Sequence, residues 1–332
     1  MYSRNIDNMH SLTHLKLSRL FDWKITGLSN ASTHFDARIS NSDLDFLPNS
    51  ITHLMLDNFN GPLENLPTNL CHLELAMFNQ DVDNLPDSII HLKLGSPFNQ
   101  PIDYLPKNLK YFSLGDHFNQ DIDYLPNSLT YLQFGINFNK SVDNLPNSIK
   151  HLTFGRSFDQ SVDHLPSSLI SLKFGIDFNQ PVNYLPVGIT NLTFGNFFNQ
   201  KIDNFPNSLR HLVFGEFFDQ RIENFPNSLR HLEFGDYFNQ NIDKLPSSIT
   251  HLVLGKYFNQ PIDKLLENSS MNFGANGKTI LSSSITHLTI PLNFKGNLNK
   301  LPKSITNLSF SHCTEKLTVK VPNSIKFITF NP

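Results

Sequence analysis

The amino-acid sequence predicts a mainly β fold: a single solenoid of about 16 coils of 19 or 20 residues, with one short parallel strand per coil. Three observations carry this expectation. The stretch "FGEFFDQRIENFPNSLRHL", from Phe214, returns 20 residues later as "FGDYFNQNIDKLPSSITHL", from Phe234. Within each unit apolar residues alternate over a short run, the period-2 signature of a strand with one buried face. No stretch carries the 3.6-residue apolar stripe of an amphipathic helix, so the outer side of each coil should be extended.

Numbered from the leucine of "LPNS", 20-residue units begin at Leu85, Leu105, Leu125, Leu145, Leu165, Leu185, Phe205, Phe225 and Leu245, after 19-residue units at Leu47 and Leu66. Upstream, residues 8–46 hold degenerate coils beginning at Asn8 and Leu28, in which Leu15 and Phe35 take the position of Leu54. Regular repeats fill 47–264; "LLENSSMNFGANGKTI" (265–280) breaks the pattern and reads as an irregular protruding loop. Units resume at Leu281, Leu301 and Val321, so 281–332 forms the C-terminal coils and cap of one domain covering 1–332.

Inside a unit each position has a physical reason. Pro at position 2 fixes φ and lacks a donor, which makes that corner an extended or turn segment. Positions 8 and 10, such as Leu212 and Phe214, form the buried face of the strand, and Gly at position 11, as in Gly215, ends it. Leucine at 1, Ile or Leu at 5, Phe at 14 and Ile or Val at 18 complete a set that points inward from every side. One coil holds too few apolar side chains to offset the entropy of ordering its backbone; stacking on neighbours supplies the missing burial and hydrogen bonds.

Composition excludes several function classes. Charged residues are 17% of the chain and the net charge is -3, so no basic field is available for nucleic acid. No run approaches the ~18 apolar residues of a membrane span, and the opening "MYSRNIDNMHSLTHL" has no signal-peptide core. Cys71 and Cys313 offer neither a disulfide framework nor a zinc box. The "GANGKT" within 265–280 fails as a phosphate loop, because Asn272 stands where that motif needs its first Gly. No cofactor is expected.

Phrases such as "FNQPIDYLP" (Phe98 to Pro106) and "FNQNIDKLP" (Phe238 to Pro246) resemble the FNIP repeat, a leucine-rich-repeat relative abundant in slime moulds and in giant DNA viruses of amoebae. The "LPxSLxxLxF" half is also similar to the short leucine-rich repeats of secreted bacterial effectors, whose convex side is extended. The resemblance implies a right-handed leucine-rich-repeat-like solenoid that binds proteins, usually on its concave sheet. Many viral relatives carry an N-terminal F-box; here residues 1–7 alone precede the first unit, a departure from that pattern.

The remaining columns divide into structural and displayed ones. Asn at position 15 (Asn99, Asn119, Asn139, Asn179, Asn199, Asn239 and Asn259), followed by Gln, is read as a structural ladder from coil to coil. Asp at position 19 (Asp83, Asp103, Asp123, Asp143, Asp163, Asp203, Asp243 and Asp263, with Asn183 and Glu223 interrupting) is read as accepting backbone N–H bonds at the corner before Pro. Position 7 lies in the strand but points outward; it holds ten of the 14 histidines, including His14, His34, His53, His72, His91, His151 and His287. Stacking neutral imidazoles should depress their pKa values, and no Cys or carboxylate column adjoins to complete a metal site, so no metal ligand is assigned.

Position 13 changes character: Asn58, Met77, Pro97, His117, Asn137, Ser157 and Asp177 give way to Phe197, Phe217, Tyr237 and Tyr257. Four successive aromatics at a water-facing column, with Arg210 and Arg230 at position 6 and His211, His231 and His251 at position 7, have the composition of a binding hot spot. The expected function is therefore a non-catalytic protein–protein interaction solenoid, and the resemblance implies a giant-virus factor engaging a host protein in the host cytoplasm. The alternatives are a substrate receptor for a ubiquitin ligase that lacks its own F-box, and a carbohydrate-active β-helix enzyme. No nucleic-acid or membrane partner is expected. Open strand edges at Leu12 to Leu17 and Lys326 to Phe330 suit a monomer or an end-to-end homodimer.

Overall fold

The computed structural model describes residues 12–16, 30–37, 44, 47–262, 284–294, 298, 301–311 and 321–331. The loop expected at 265–280, Asp263, Cys313 and much of 8–46 lie outside these described residues. Among the described residues there is no α-helix, and every strand begins at, or aligns with, position 7 of a coil. The strands are β1 (His14–Lys16), β2 (His34–Ala37), β3 (His53–Leu56), β4 (His72–Leu75), β5 (His91–Leu94), β6 (Tyr111–Leu114), β7 (Tyr131–Gln133), β8 (His151–Thr153), β9 (Ser171–Lys173), β10 (Asn191–Thr193), β11 (His211–Val213), β12 (His231–Glu233), β13 (His251–Val253), β14 (His287–Pro291), β15 (Asn307–Ser311) and β16 (Phe327–Phe330).

The chain divides into two compact units, Met1–Gln160 with His164–Leu169, and Ser161–Asp163 with Ile170–Pro332. In the first unit β1 to β8 pair in parallel, each with the next, and the register sets like position on like: His53 on His72, His72 on His91, Tyr111 on Tyr131. In the second unit β9 to β16 do the same, with His211 on His231 and His231 on His251. Both are leucine-rich-repeat-like solenoids, as the period predicts.

Each corner has its own closure. The proline carbonyl accepts from the residue three positions on, as in Ile51 to Pro48 (3.0 Å) and Leu229 to Pro226 (3.1 Å), so the donor that Pro lacks is not required. The N–H groups of Lys110 and Tyr111 then both reach the carbonyl of Ile90, at 2.9 and 3.0 Å, and the strand begins. At its far end Gly-x-x-Phe makes a turn, with Phe118 N–H on Gly115 O (3.3 Å) and Phe238 N–H on Gly235 O (3.3 Å). A Cβ on Gly115 or Gly215 would fall on the backbone of the preceding coil, against Gly95 and Gly195 respectively, so the close approach demands glycine. The 19-residue coils shorten this corner by one residue, running Leu56-Asp57-Asn58-Phe59 and Leu75-Ala76-Met77-Phe78, and there glycine is absent.

The interior is laminated. Phe98, Phe118 and Phe138 at position 14 are fully buried and follow one another at centroid separations of 6.0–6.1 Å. From Phe134 on, position 10 adds a second ring that lies 3.6–3.8 Å from its own coil's Phe at position 14, as in Phe134 on Phe138 and Phe234 on Phe238. Leu212 and Phe214 are buried, and with the Ile, Leu and Val of positions 5, 8 and 18 they close a continuous apolar core within each unit.

Candidate functional site

The outward face of the strands carries the position-7 column. In the first unit most of its rings are closely stacked: His14 to His34 4.0 Å, His34 to His53 4.1 Å, His72 to His91 3.8 Å, His91 to Tyr111 4.0 Å and Tyr111 to Tyr131 4.4 Å between centroids, with wider steps of 5.2 Å from His53 to His72 and 6.2 Å from Tyr131 to His151. In the second unit His211, His231 and His251 stand wider, at 5.7 and 5.8 Å, before His251 and His287 close to 4.2 Å. Threonine at position 6 sets the tautomer. Thr33 and Thr52 donate their hydroxyls to the carbonyls of Thr13 and Thr33, so each Thr oxygen accepts from Nδ1–H of the histidine beside it, His34 and His53, at 2.9 Å. Nε2 is left as the outward acceptor. Burial, and then the charge of neighbouring imidazoles, lowers the pKa of His34, His53, His211 and His251, and pushes that of His91 down to about 4. These five imidazoles are biased toward the neutral form, the direction that stacking at this spacing predicts.

Single carboxylates do adjoin it, Glu74 most closely. Glu74, two residues after His72 on β4 and so on the same face, accepts from His72 Nε2 at 2.8 Å and from Lys93 Nζ at 3.4 Å. Burial raises its pKa, but the hydrogen bond from His72 and the Lys93 charge outweigh this and hold the carboxyl below its ordinary range. The expectation was that no carboxylate column adjoins the imidazoles, and position 9 is indeed not one. Glu74 is a single residue there, where neighbouring coils place Met55 and Lys93.

Position 13 is held by its backbone and displays its side chain. Phe197, Phe217, Tyr237 and Tyr257 each donate N–H to the position-12 carbonyl of the coil before, at 2.8–3.0 Å. Their rings follow one another at 5.2, 5.0 and 4.9 Å. Phe197, Tyr237 and Tyr257 are 48%, 45% and 46% exposed, and Phe217 is half-buried between its neighbours. Lys256 Nζ lies 5.4 Å from the Tyr257 ring, within cation–π range. Arg210 and Arg230 are exposed, and Arg230 donates to the Ser248 carbonyl at 3.0 Å. Aromatic joins aromatic and histidine joins histidine; among the described residues no hydrogen bond, ion pair or ring contact crosses from the one column to the other.

The ladder residues bond between coils. Oδ1 of Asn99, Asn119, Asn179 and Asn239 each accepts, at 2.9 Å, the backbone N–H of Asn119, Asn139, Asn199 and Asn259 in the next coil, and Asn139 and Asn199 do the same for Asp159 and Asp219 at 2.9 and 3.0 Å. Asp219 itself substitutes for Asn, taking Asn239 N–H at 2.8 Å. A second ladder, unread in the sequence, runs through serine at position 4, whose hydroxyl donates to the position-5 carbonyl of the preceding coil, as in Ser128 to Leu109 (2.7 Å) and Ser228 to Leu209 (2.6 Å). The position-19 carboxylates act differently from expectation. Asp143 and Asp163 accept from the hydroxyls of Ser141 and Ser161, while their own N–H groups donate back to those hydroxyls at 3.3 Å. Position 17, two residues earlier, is therefore the turn acceptor.

Comparison with known proteins agrees with this geometry. The family model described as FNIP Repeat matches residues 41–76, 78–117, 98–137, 118–157, 138–177, 158–197, 178–217, 198–237, 218–245 and 238–266. No curated protein matches the chain. Among solved structures, "The crystal structure of CroV588 a novel circular LRR protein structure" is similar at 40% identity and a TM-score of 0.82, over 97% of this chain and 50% of that one. The chain thus spans half the length of that relative. "YopM from Yersinia enterocolitica WA-314", at 18% identity and a TM-score of 0.50 over 97% of this chain and 70% of that one, shares the fold.

Proposed function

The chain belongs to the FNIP repeat family, and on that premise we propose that it is a non-catalytic interaction solenoid whose protein partner docks on the aromatic stripe Phe197, Phe217, Tyr237 and Tyr257. A leucine-rich-repeat-like solenoid is a fold suited to binding proteins, because it displays variable side chains on a rigid repeated backbone. The observation that carries the reading is four successive aromatics, the first three stacked and Tyr257 tilted against Tyr237, at a column that is polar in most of the earlier coils. Preordered rings lose little side-chain entropy on association, and exposed aromatics, with Lys256 beside Tyr257, match the anchors that dominate interfaces. Polar residues elsewhere recur as equivalents from coil to coil, whereas catalysis asks for unlike groups in one setting. The family resemblance extends the proposal to a giant-virus factor acting on a host protein inside the cell.

The test is affinity capture from amoebal host lysate with the wild-type chain and the Phe217→Ala/Tyr237→Ala double variant, read by mass spectrometry. A partner retained by the wild type and lost at least about tenfold by the double variant at unchanged Tm is the expected result. Equal recovery by both proteins rejects the stripe as the docking site.

A further inference from the structure

Where β4 meets β5, a lone carboxylate stands among stacked imidazoles. We infer that His72, Glu74 and His91 form a binding site for a borderline divalent cation of the Zn2+ class. The sequence His-x-Glu on one strand puts both side chains on the same face, and the parallel register brings His91 across to them. His72 Nε2 lies 2.8 Å and His91 Nε2 3.9 Å from the same oxygen, Glu74 Oε1, and the three donor atoms fall within 4.8 Å of one another. A tetrahedral zinc with bonds of about 2.0–2.1 Å spaces its donors at roughly 3.3 Å. The His72–Glu74 separation must open and the His91–Glu74 separation close by about half an ångström, and the two imidazole nitrogens, within 4.8 Å of each other, must draw together to the same spacing through their side-chain torsions.

The surroundings suit the ion. Glu74 turns its other oxygen, Oε2, to Lys93 Nζ at 3.4 Å, so the carboxylate is oriented with Oε1 toward the imidazoles, as an outer-shell partner orients a ligand. The Lys93 side chain is 53% exposed and its ammonium can move into solvent when a cation arrives. The three ligand side chains are 22–25% exposed, which leaves an entry path and an open position for water or a partner's side chain. Two imidazoles and one carboxylate select for zinc-like ions over the all-oxygen shells of calcium and magnesium. The same His-x-Glu pattern recurs at His231 and Glu233, but there the nitrogen and oxygen are 3.8 Å apart and the flanking rings stand at 5.7 and 5.8 Å. That pair is an internal control.

Zinc chloride is titrated calorimetrically into the untagged chain at near-neutral pH, and cobalt(II) is added in parallel to read its visible absorption bands. The wild type should bind zinc and give the intense cobalt bands of a four- or five-coordinate site. Glu74→Gln and His91→Tyr should each weaken zinc binding about tenfold or more, and His231→Ala should leave it unchanged. His91→Tyr keeps the column stacked, because Tyr111 already occupies the next position, and Glu74→Gln keeps the side-chain shape; circular dichroism confirms both folds. Absence of zinc binding by the wild type overturns the site. So does affinity that survives Glu74→Gln and His91→Tyr, or that is lost in His231→Ala instead.

Discussion

The coils around β4 to β6 and those around β10 to β13 share one interior and differ in what they display. In both, the Asn ladder, the proline turn and the position-14 phenylalanines keep the same partners at nearly the same distances. Outward, the earlier coils stack His and Tyr rings at 3.8–4.4 Å and leave position 13 to Pro97 and His117. The later coils loosen the histidines to 5.7–5.8 Å and build an aromatic row at position 13 instead. Holding the stack together and choosing what it shows are thus assigned to separate columns, and one can vary without the other.

The largest expected effect tests the shared half. Gly115→Ala and Gly215→Ala, one in each region, drive a methyl group into the backbone of the preceding coil, which is itself pinned by the ladder. Each should cost about 3 kcal/mol or more, read as a drop in Tm or urea midpoint; tolerance in one region alone would separate their scaffolds. Next, Asn99→Ala and Asn199→Ala leave the half-buried N–H groups of Asn119 and Asp219 without their ladder acceptors, at about 1 kcal/mol each. Asn99→Asp should be close to neutral by the same measurement, since Asp219 already serves in that position.

Acid should separate the regions. His34, His53, His91, His211 and His251 have folded pKa values below the unfolded value of 6.5, His91 the furthest, so the unfolded chain binds more protons as pH falls. Stability from this source is complete above that value and is lost as pH drops toward about 4, the value for His91. Tm should fall by several degrees over that interval, with hydrogen-exchange protection of β4 and β5 weakening first. His91→Tyr should blunt the fall; an unchanged acid profile would show that the column does not resist protonation. The smallest effect belongs to display. Phe217→Ser, which gives the later coils the polarity of Ser157, should shift stability by about 0.5 kcal/mol or less, because the backbone bond from residue 217 to Asn196 needs no side chain.

Much of this was legible before any coordinates. Leu212, Phe214 and their equivalents recur often enough that every strand, turn and inward column could be read many times over. The Asn column was visible for the same reason, and only its partner, the next coil's N–H, needed geometry. Glu74 was not legible, because it is a single departure at a freely varying position and acquires neighbours through the register alone. The position-19 aspartates were read backwards, since sequence shows which residues sit near a corner but not which way a two-residue turn bond points. The partners of the Ser and Thr ladders are not legible in the sequence, although their columns are plain to see. Hydroxyls at turns have so many local partners that composition does not select the one in the coil before.

The two short coils show where length can change. Dropping a residue after Leu56 and after Leu75 leaves His53, His72 and His91 aligned, so the corner absorbs the deletion and the strand never senses it. An insertion inside a strand has no such refuge, because a shift by one would exchange the faces of Leu212 and His211. Excising a whole turn from the middle of either region would instead bring together two surfaces already matched to each other. Such a molecule is free to grow or shrink by complete turns and intolerant of fractions, so its reach is set by counting.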